Sequence, residues 1–174
     1  MLFQMRSGEN DGCAPPLFID GFYDNCWWVA LRCTHPTGAG KSCPKETALE
    51  IYNSIRGYPY YVQKLASIAW DLTARQCTTD TVRAAFRILL PMEAQDFEGI
   101  WSGLTLIQRG LLKALAQEPT ISPYAREFLE RHRLSVGGTQ RAMNGLLSRD
   151  LIERDDKNIY RLTDPVMGVW LKEN

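Results

Sequence analysis

The chain has 174 residues and no net charge: 20 Lys and Arg stand against 20 Asp and Glu, for a formal charge of +0. A bulk positive excess is what announces a nucleic-acid or membrane-surface protein, and here there is none. No apolar run approaches the roughly 18 residues that a membrane-spanning helix needs. The opening stretch MLFQMRSGENDG lacks the apolar core of a signal peptide, so the expected location is the cytoplasm. No two of the five cysteines (Cys13, Cys26, Cys33, Cys43 and Cys77) fall at CxxC spacing. An odd number at irregular gaps argues against a disulfide framework, and the missing pairs argue against structural zinc. His35 follows Cys33 by two residues and reads as an unrelated loop side chain, so no metal site is predicted.

What is present is apolar patterning. Hydrophobic residues make up 45% of the chain and charged residues 23%, which describes a globular protein rather than a disordered one. Before residue 44, Gly, Pro, Cys and Trp are scattered without helical period, and only LFID (17–20) and CWWVAL (26–31) suggest short strands. After residue 44 the pattern is helical. Pro44 opens a helix with Ala48, Leu49, Ile51, Tyr52 and Ile55 on one face. Gly57 stops it and Pro59 starts the next, with Tyr61, Leu65, Ile68, Ala69 and Leu72 as the buried stripe. A third helix, capped by Thr78 or Thr79, is expected to end at Pro91, and a fourth to run from Met92 toward Trp101.

From Leu104 the order of elements is diagnostic. Thr105 caps a helix with Leu106, Ile107, Leu111, Leu112, Leu115 and Ala116 inward. A second helix opens with Ser122 and Pro123 and buries Tyr124, Phe128 and Leu129. LSVGG reads as a turn, and TQRAMNGLLSR as a third helix with Met143, Leu146 and Leu147 inward. LIER and IYRL read as strands around a DDKN hairpin, followed by a short helix in DPVMGVWL. Three helices and a two-stranded wing make the winged helix-turn-helix plan.

In a DNA-binding member the third helix would enter the major groove. Its outward residues would be Gln140, Arg141, Asn144 and Ser148, with Lys157 at the wing tip and Arg161 in the second strand meeting phosphate or the minor groove. Against this, residues 101–174 hold eleven basic and nine acidic residues, a difference of two, and Asp155 and Asp156 flank Lys157. Phosphate neutralisation needs a clear positive excess. The other reading is a module that packs on a protein surface.

Two stretches carry a family resemblance. Gly57, Tyr58, Pro59, Tyr60, Tyr61, Val62 and Gln63 match a GhPyyhQ-like motif, where h is apolar. Asp164, Pro165, Val166, Met167, Trp170 and Leu171 match a DPhhxxWL-like one. Over residues 45–174 the chain resembles the C-terminal part of the archaeal-type P-loop ATPases, a branch of the signal-transducing ATPases with numerous domains. The resemblance implies a mainly α protein: a helical lid-like bundle over 45–100 and a winged helix with a two-stranded wing over 101–174. It also implies that Pro59 packs near the adenine of a bound nucleotide, a role suited to a rigid apolar ring.

Residues 1–44 do not supply a complete ATPase core. HPTGAGKS (35–42) fits the end of a P-loop at Gly40, Lys41 and Ser42, but His35 replaces its first glycine. The helix behind it leads directly into the lid, which leaves no room for the other strands of the sheet. PLFIDGFYDN looks like the family's metal-associated strand, with Asp20 as its acid, yet Gly21 stands at the place of the catalytic Glu. Residues 1–44 are therefore expected to be an irregular remnant of a nucleotide-binding core, truncated, rearranged or mistranslated. The expectation is a regulatory or interaction part of a P-loop ATP-binding protein, without ATPase activity by itself. Its partner would be the missing core or another protein, with ATP and magnesium bound only together with that core. The alternatives are a DNA-binding regulator and a degenerate ATP binder using residues 35–42.

Overall fold

The computed structural model describes residues 40–174. The expected strands at 17–20 and 26–31, the Asp20 motif, His35 and three of the cysteines lie outside the described residues. Helix α1 (Lys45–Ser54) starts directly behind Pro44 and buries Thr47, Ala48 and Ile51. It ends in two left-handed residues, Arg56 (φ 51°) and Gly57 (φ 68°). The Gly57 amide donates to the Tyr52 carbonyl at 2.8 Å. A Cβ at Gly57 would lie 2.4 Å from the Tyr52 ring, so both the backbone angle and the space require glycine there.

Helix α2 (Pro59–Leu72) has proline at its first position and buries Tyr61, Val62, Leu65 and Ala69. Leu72, expected on this stripe, is instead exposed. Ahead of α1, Ser42 forms a parallel bridge with Gln76, which ties the strap 40–43 to the turn between α2 and α3.

Helix α3 (Thr79–Ser102) corrects an expectation. One helix of 24 residues replaces the two predicted on either side of Pro91. Proline removes one backbone donor and frees the carbonyl four residues earlier. Pro91 and Arg87 are both exposed, so the freed carbonyl faces water and the helix continues. Its start carries a reciprocal Thr78–Thr81 capping box. Helix α3 packs on α1 and α2, and its end on the last helix of the chain.

Helix α4 (Leu106–Gln117) has a second capping box, Thr105 with Gln108. Leu111, Leu112, Ala114, Leu115 and Ala116 are buried, while Leu106 and Ile107, expected inward, stand exposed on the first turn. The following helix α5 (Arg126–Arg131) starts three residues later than Pro123 implies, and Tyr124 is exposed rather than buried. Helix α6 (Val136–Leu147) begins earlier than expected, so Gly137 and Gly138 sit in its first turn and not in a loop. Gly138 has a packing reason: a Cβ there would lie 2.7 Å from Ser135 Oγ and 3.3 Å from Ile107, where α6 crosses α4. Leu147, expected inward, is exposed at the end of the helix.

The wing is β1 (Ile152–Arg154) antiparallel to β2 (Tyr160–Leu162), in register Ile152↔Leu162, Glu153↔Arg161 and Arg154↔Tyr160. Thr120, between α4 and α5, adds an antiparallel bridge to Tyr160 on the other edge of β2. Helix α7 (Pro165–Glu173) closes the fold, with Asp164 as its cap. The described residues are thus mainly helical with one small sheet. One apolar cluster runs from Cys43 and Ile51 through Leu89 and Phe97 to Leu171. Phe97 and Trp101 of α3 meet Trp170 of α7, with ring centroids 5.8 and 6.3 Å apart.

Candidate functional site: the junction of the first helices with the wing, and the outer face of helix α6

The two motifs, whose Tyr61 and Asp164 stand 103 residues apart in sequence, meet in space. The Tyr61 hydroxyl donates to Asp164 Oδ2 at 2.7 Å. The other carboxylate oxygen of Asp164 accepts the amides of Val166 (2.8 Å) and Met167 (2.9 Å), the unpaired donors at the start of α7. One carboxylate therefore caps a helix and anchors another element at once. Burial, reinforced by Asp164, pushes the Tyr61 hydroxyl well above the ordinary tyrosine range.

Arg56 makes the second tie. Its left-handed backbone aims the guanidinium at the end of β2, where Nη2 donates to the carbonyls of Leu162 (2.6 Å) and Thr163 (3.2 Å). Burial, then the neighbouring Arg161 charge, lowers its pKa, and Glu153 and Asp164 offset part of that. A cleft of about 330 Å³ opens beside this tie, lined among others by Arg56, Arg161, Leu115, Pro119 and Lys172.

On the same turn, Tyr58, Pro59 and Tyr60 are exposed. Tyr58 and Tyr60 lie against Tyr61, with centroids 5.3 and 5.0 Å apart. Lys64 donates to the buried Glu93 of α3 and, at 3.0 Å, to the Tyr60 hydroxyl. These contacts hold the aromatic cluster in place while leaving the faces of Tyr58 and Pro59 toward solvent.

Gly40, Lys41 and Ser42 lead through Cys43 and Pro44 into the start of α1. The Ser42 amide donates to the Arg75 carbonyl (2.7 Å), and its carbonyl accepts from Cys77 (2.8 Å). Lys41 Nζ donates to the Trp70 carbonyl at 3.0 Å and lies over the Trp70 ring. Helix α1 starts behind Pro44, which has no N–H to offer. Among the described residues, the Ser42 amide and the Lys41 ammonium are thus engaged by backbone carbonyls.

On α6, Gln140, Arg141, Asn144 and Ser148 all face solvent along one stripe. Arg141 Nε makes only a 3.3 Å bond, to the Gly137 carbonyl of its own helix. Lys157 is exposed at the wing tip. Arg161 differs from expectation: it is half-buried and bonded to Glu153 (2.8 Å) and Asp155 (3.3 Å), so its charge is neutralised inside the wing. Asp155 in turn takes the amides of Lys157 and Ile159 and shapes the hairpin. Two exposed residues that sequence reasoning missed flank the stripe, Arg133 before α6 and Arg149 after it. The signal was readable: between Glu130 and Asp150 there is no acidic residue.

This arrangement has a counterpart among known families. Residues 95–173 match the family model described as "Probable winged helix domain". The fold over these residues is a winged helix, three helices followed by a two-stranded wing. No curated protein and no solved structure matches the chain. The match begins inside α3, so the winged helix takes the last two turns of that helix as part of its own core. Among the described residues, no helix is long and apolar enough to cross a membrane, and no group of three or more His, Cys, Asp or Glu could hold a metal.

Proposed function

We propose that residues 45–174 are the lid and winged helix of a nucleotide-dependent switch, acting as a regulatory part that docks on a P-loop ATPase core. The division is the helical lid-like part over 45–100 and the winged helix over 101–174, with α3 as their common strut. The observation that carries this reading is the Tyr61–Asp164 bond. It joins the Gly57-Tyr58-Pro59 turn directly to the capping residue of α7, while Tyr58 and Pro59 stay exposed. A surface that meets a nucleotide-loaded core at Pro59 is thereby tied, through one helical turn, to the position of the winged helix. ATP and magnesium belong to the assembled complex, and the chain alone is a binder and not a hydrolase.

The test mixes the full chain with a P-loop core of the resembled family that lacks its own lid, with ATP and magnesium present. Saturable binding that changes the core's turnover, and that weakens in Pro59→Ala and Tyr58→Ala, supports the reading. No binding and no change in turnover removes it.

A second reading rests on a different observation, the acid-free stripe of α6 with Arg133, Arg141 and Arg149 around Gln140 and Asn144. Arginine and amide side chains on a helix face suit paired bonds to base edges. Duplex titrations at two salt concentrations decide it: salt-sensitive binding weakened by Arg141→Ala supports DNA recognition, and no binding at low salt excludes it.

A further inference from the structure

Cys43 and Cys77 stand on the two segments that the Ser42–Gln76 bridge brings side by side, each one residue beyond the bridge. The Cys77 amide closes the bridge by donating to the Ser42 carbonyl at 2.8 Å. Both side chains are buried, each 2% exposed; the Cys43 thiol donates to the Pro44 carbonyl at 3.6 Å, and the Cys43 side chain together with burial pushes the Cys77 thiol up. Adjacent strands lie about 4.8 Å apart, within reach of the roughly 4.4–6.8 Å that separates the Cα atoms of a disulfide. The thiols are not joined in the structure.

We propose that Cys43 and Cys77 are a reversible disulfide pair, taking a low-molecular-weight disulfide such as oxidised glutathione as the oxidant. As long as the strap 40–43 is seated, the pair is shielded, and the Cys43 side chain together with burial keeps the Cys77 thiol protonated. Opening of the strap breaks the two backbone bonds of Ser42 and the Lys41–Trp70 bond, and exposes Cys43. The Cys43 thiolate attacks the oxidant, forms a mixed disulfide and expels one glutathione thiolate. With the strap still open the Cys77 thiol is solvated and loses its proton, its thiolate displaces the second glutathione, and the strap seats over the new Cys43–Cys77 bond. Two thiols are oxidised, one disulfide is reduced, and the two protons leave on the two glutathiones. The product closes a loop from residue 43 to residue 77 that contains α1, α2 and the Gly57-Tyr58-Pro59 turn. Oxidation thus staples the strap 40–43 to the turn between α2 and α3, and reduction releases it. This holds whichever partner the chain has.

The test uses the full chain with Cys13→Ser, Cys26→Ser and Cys33→Ser, so that only the proposed pair can react. The protein is incubated with oxidised glutathione a few degrees below its Tm, where the strap opens, then alkylated and mapped by mass. The expected product is an intramolecular 43–77 link without bound glutathione. The expected Tm rise is roughly 6 to 16 °C, reversed by dithiothreitol. Neither Cys77→Val nor Cys43→Ala in that background should show a rise, and either one suffices if the other does not fold. Unreacted thiols, a glutathione adduct that goes no further, or a link that lowers Tm would each overturn the proposal.

Discussion

Replacing Tyr61 by phenylalanine removes one oxygen and little else, because the ring keeps its buried place on α2 beside the start of α7. The lost bond is 2.7 Å long and ends on a carboxylate. Hydrogen bonds to charged groups contribute about 1.5–3 kcal/mol, against about 1 for neutral ones. Tyr61→Phe is therefore expected to cost about 1.5–3 kcal/mol, a fall in Tm of roughly 3 to 12 °C for a chain of this size. Asp164→Ala removes the same bond and also the cap of α7, worth about 0.5–2 kcal/mol on its own. It should cost more than Tyr61→Phe, and the double variant should cost less than the sum of the two. Urea titrations of the four proteins give the coupling, expected at about 1–2 kcal/mol. The pH dependence adds a second readout. Tyr61 is raised in the folded state by burial and by Asp164, while its unfolded value is the ordinary one near 10. Below about pH 10 both states hold the proton and the bond contributes in full. Above it the unfolded chain releases the proton and the folded chain does not, so the stabilisation falls as pH rises. The gap between wild type and Tyr61→Phe should therefore narrow on the alkaline side. A coupling indistinguishable from zero, with a gap that does not change with pH, would refute the idea that this bond locks the two halves.

Three further outcomes follow from the same contacts. Gly57→Ala should cost about 2 kcal/mol in urea, from the left-handed backbone and the Tyr52 ring where the methyl would go. Glu93→Gln should cost about 1–3 kcal/mol because it leaves Lys64 without its carboxylate, whereas Glu93→Leu with Lys64→Met should restore most of that loss. Asp155 is held below the usual carboxylate range by the Ile159 amide first, then by the Lys157 amide and Arg161. Its contribution is present above about pH 4 and is lost as the pH falls through the lower folded value, so Asp155→Asn should flatten the acid side of the stability profile.

The winged helix was legible because its signals are ordered: capped helices, then a polar hairpin, then an Asp-Pro helix start. Single-residue punctuation was less dependable. Pro91 looks like a stop, but a proline on the solvent side of a helix only frees a carbonyl to water. Gly137 and Gly138 look like a turn, but both lie in the first turn of α6, where Gly138 lets the helix approach Ile107. Arg161 looks like a phosphate ligand, and the register of the wing sets it opposite Glu153. The most informative contact, Tyr61 with Asp164, has no sequence signal of its own. Each residue reads locally, as a buried stripe position and a helix cap, and only the tertiary fold brings them together. The bridge from Thr120 to β2 is invisible for the same reason, since one residue carries no periodicity.

The claim that this chain docks on an ATPase core through the Gly57-Tyr58-Pro59 turn is tested most directly by calorimetric titration of a lid-less P-loop core with the full chain in ATP and magnesium. The account predicts saturable binding to wild type and a clear loss of affinity for Pro59→Ala. Binding that ignores Pro59, or no binding to the core alongside salt-sensitive DNA binding that Arg141→Ala weakens, would contradict it.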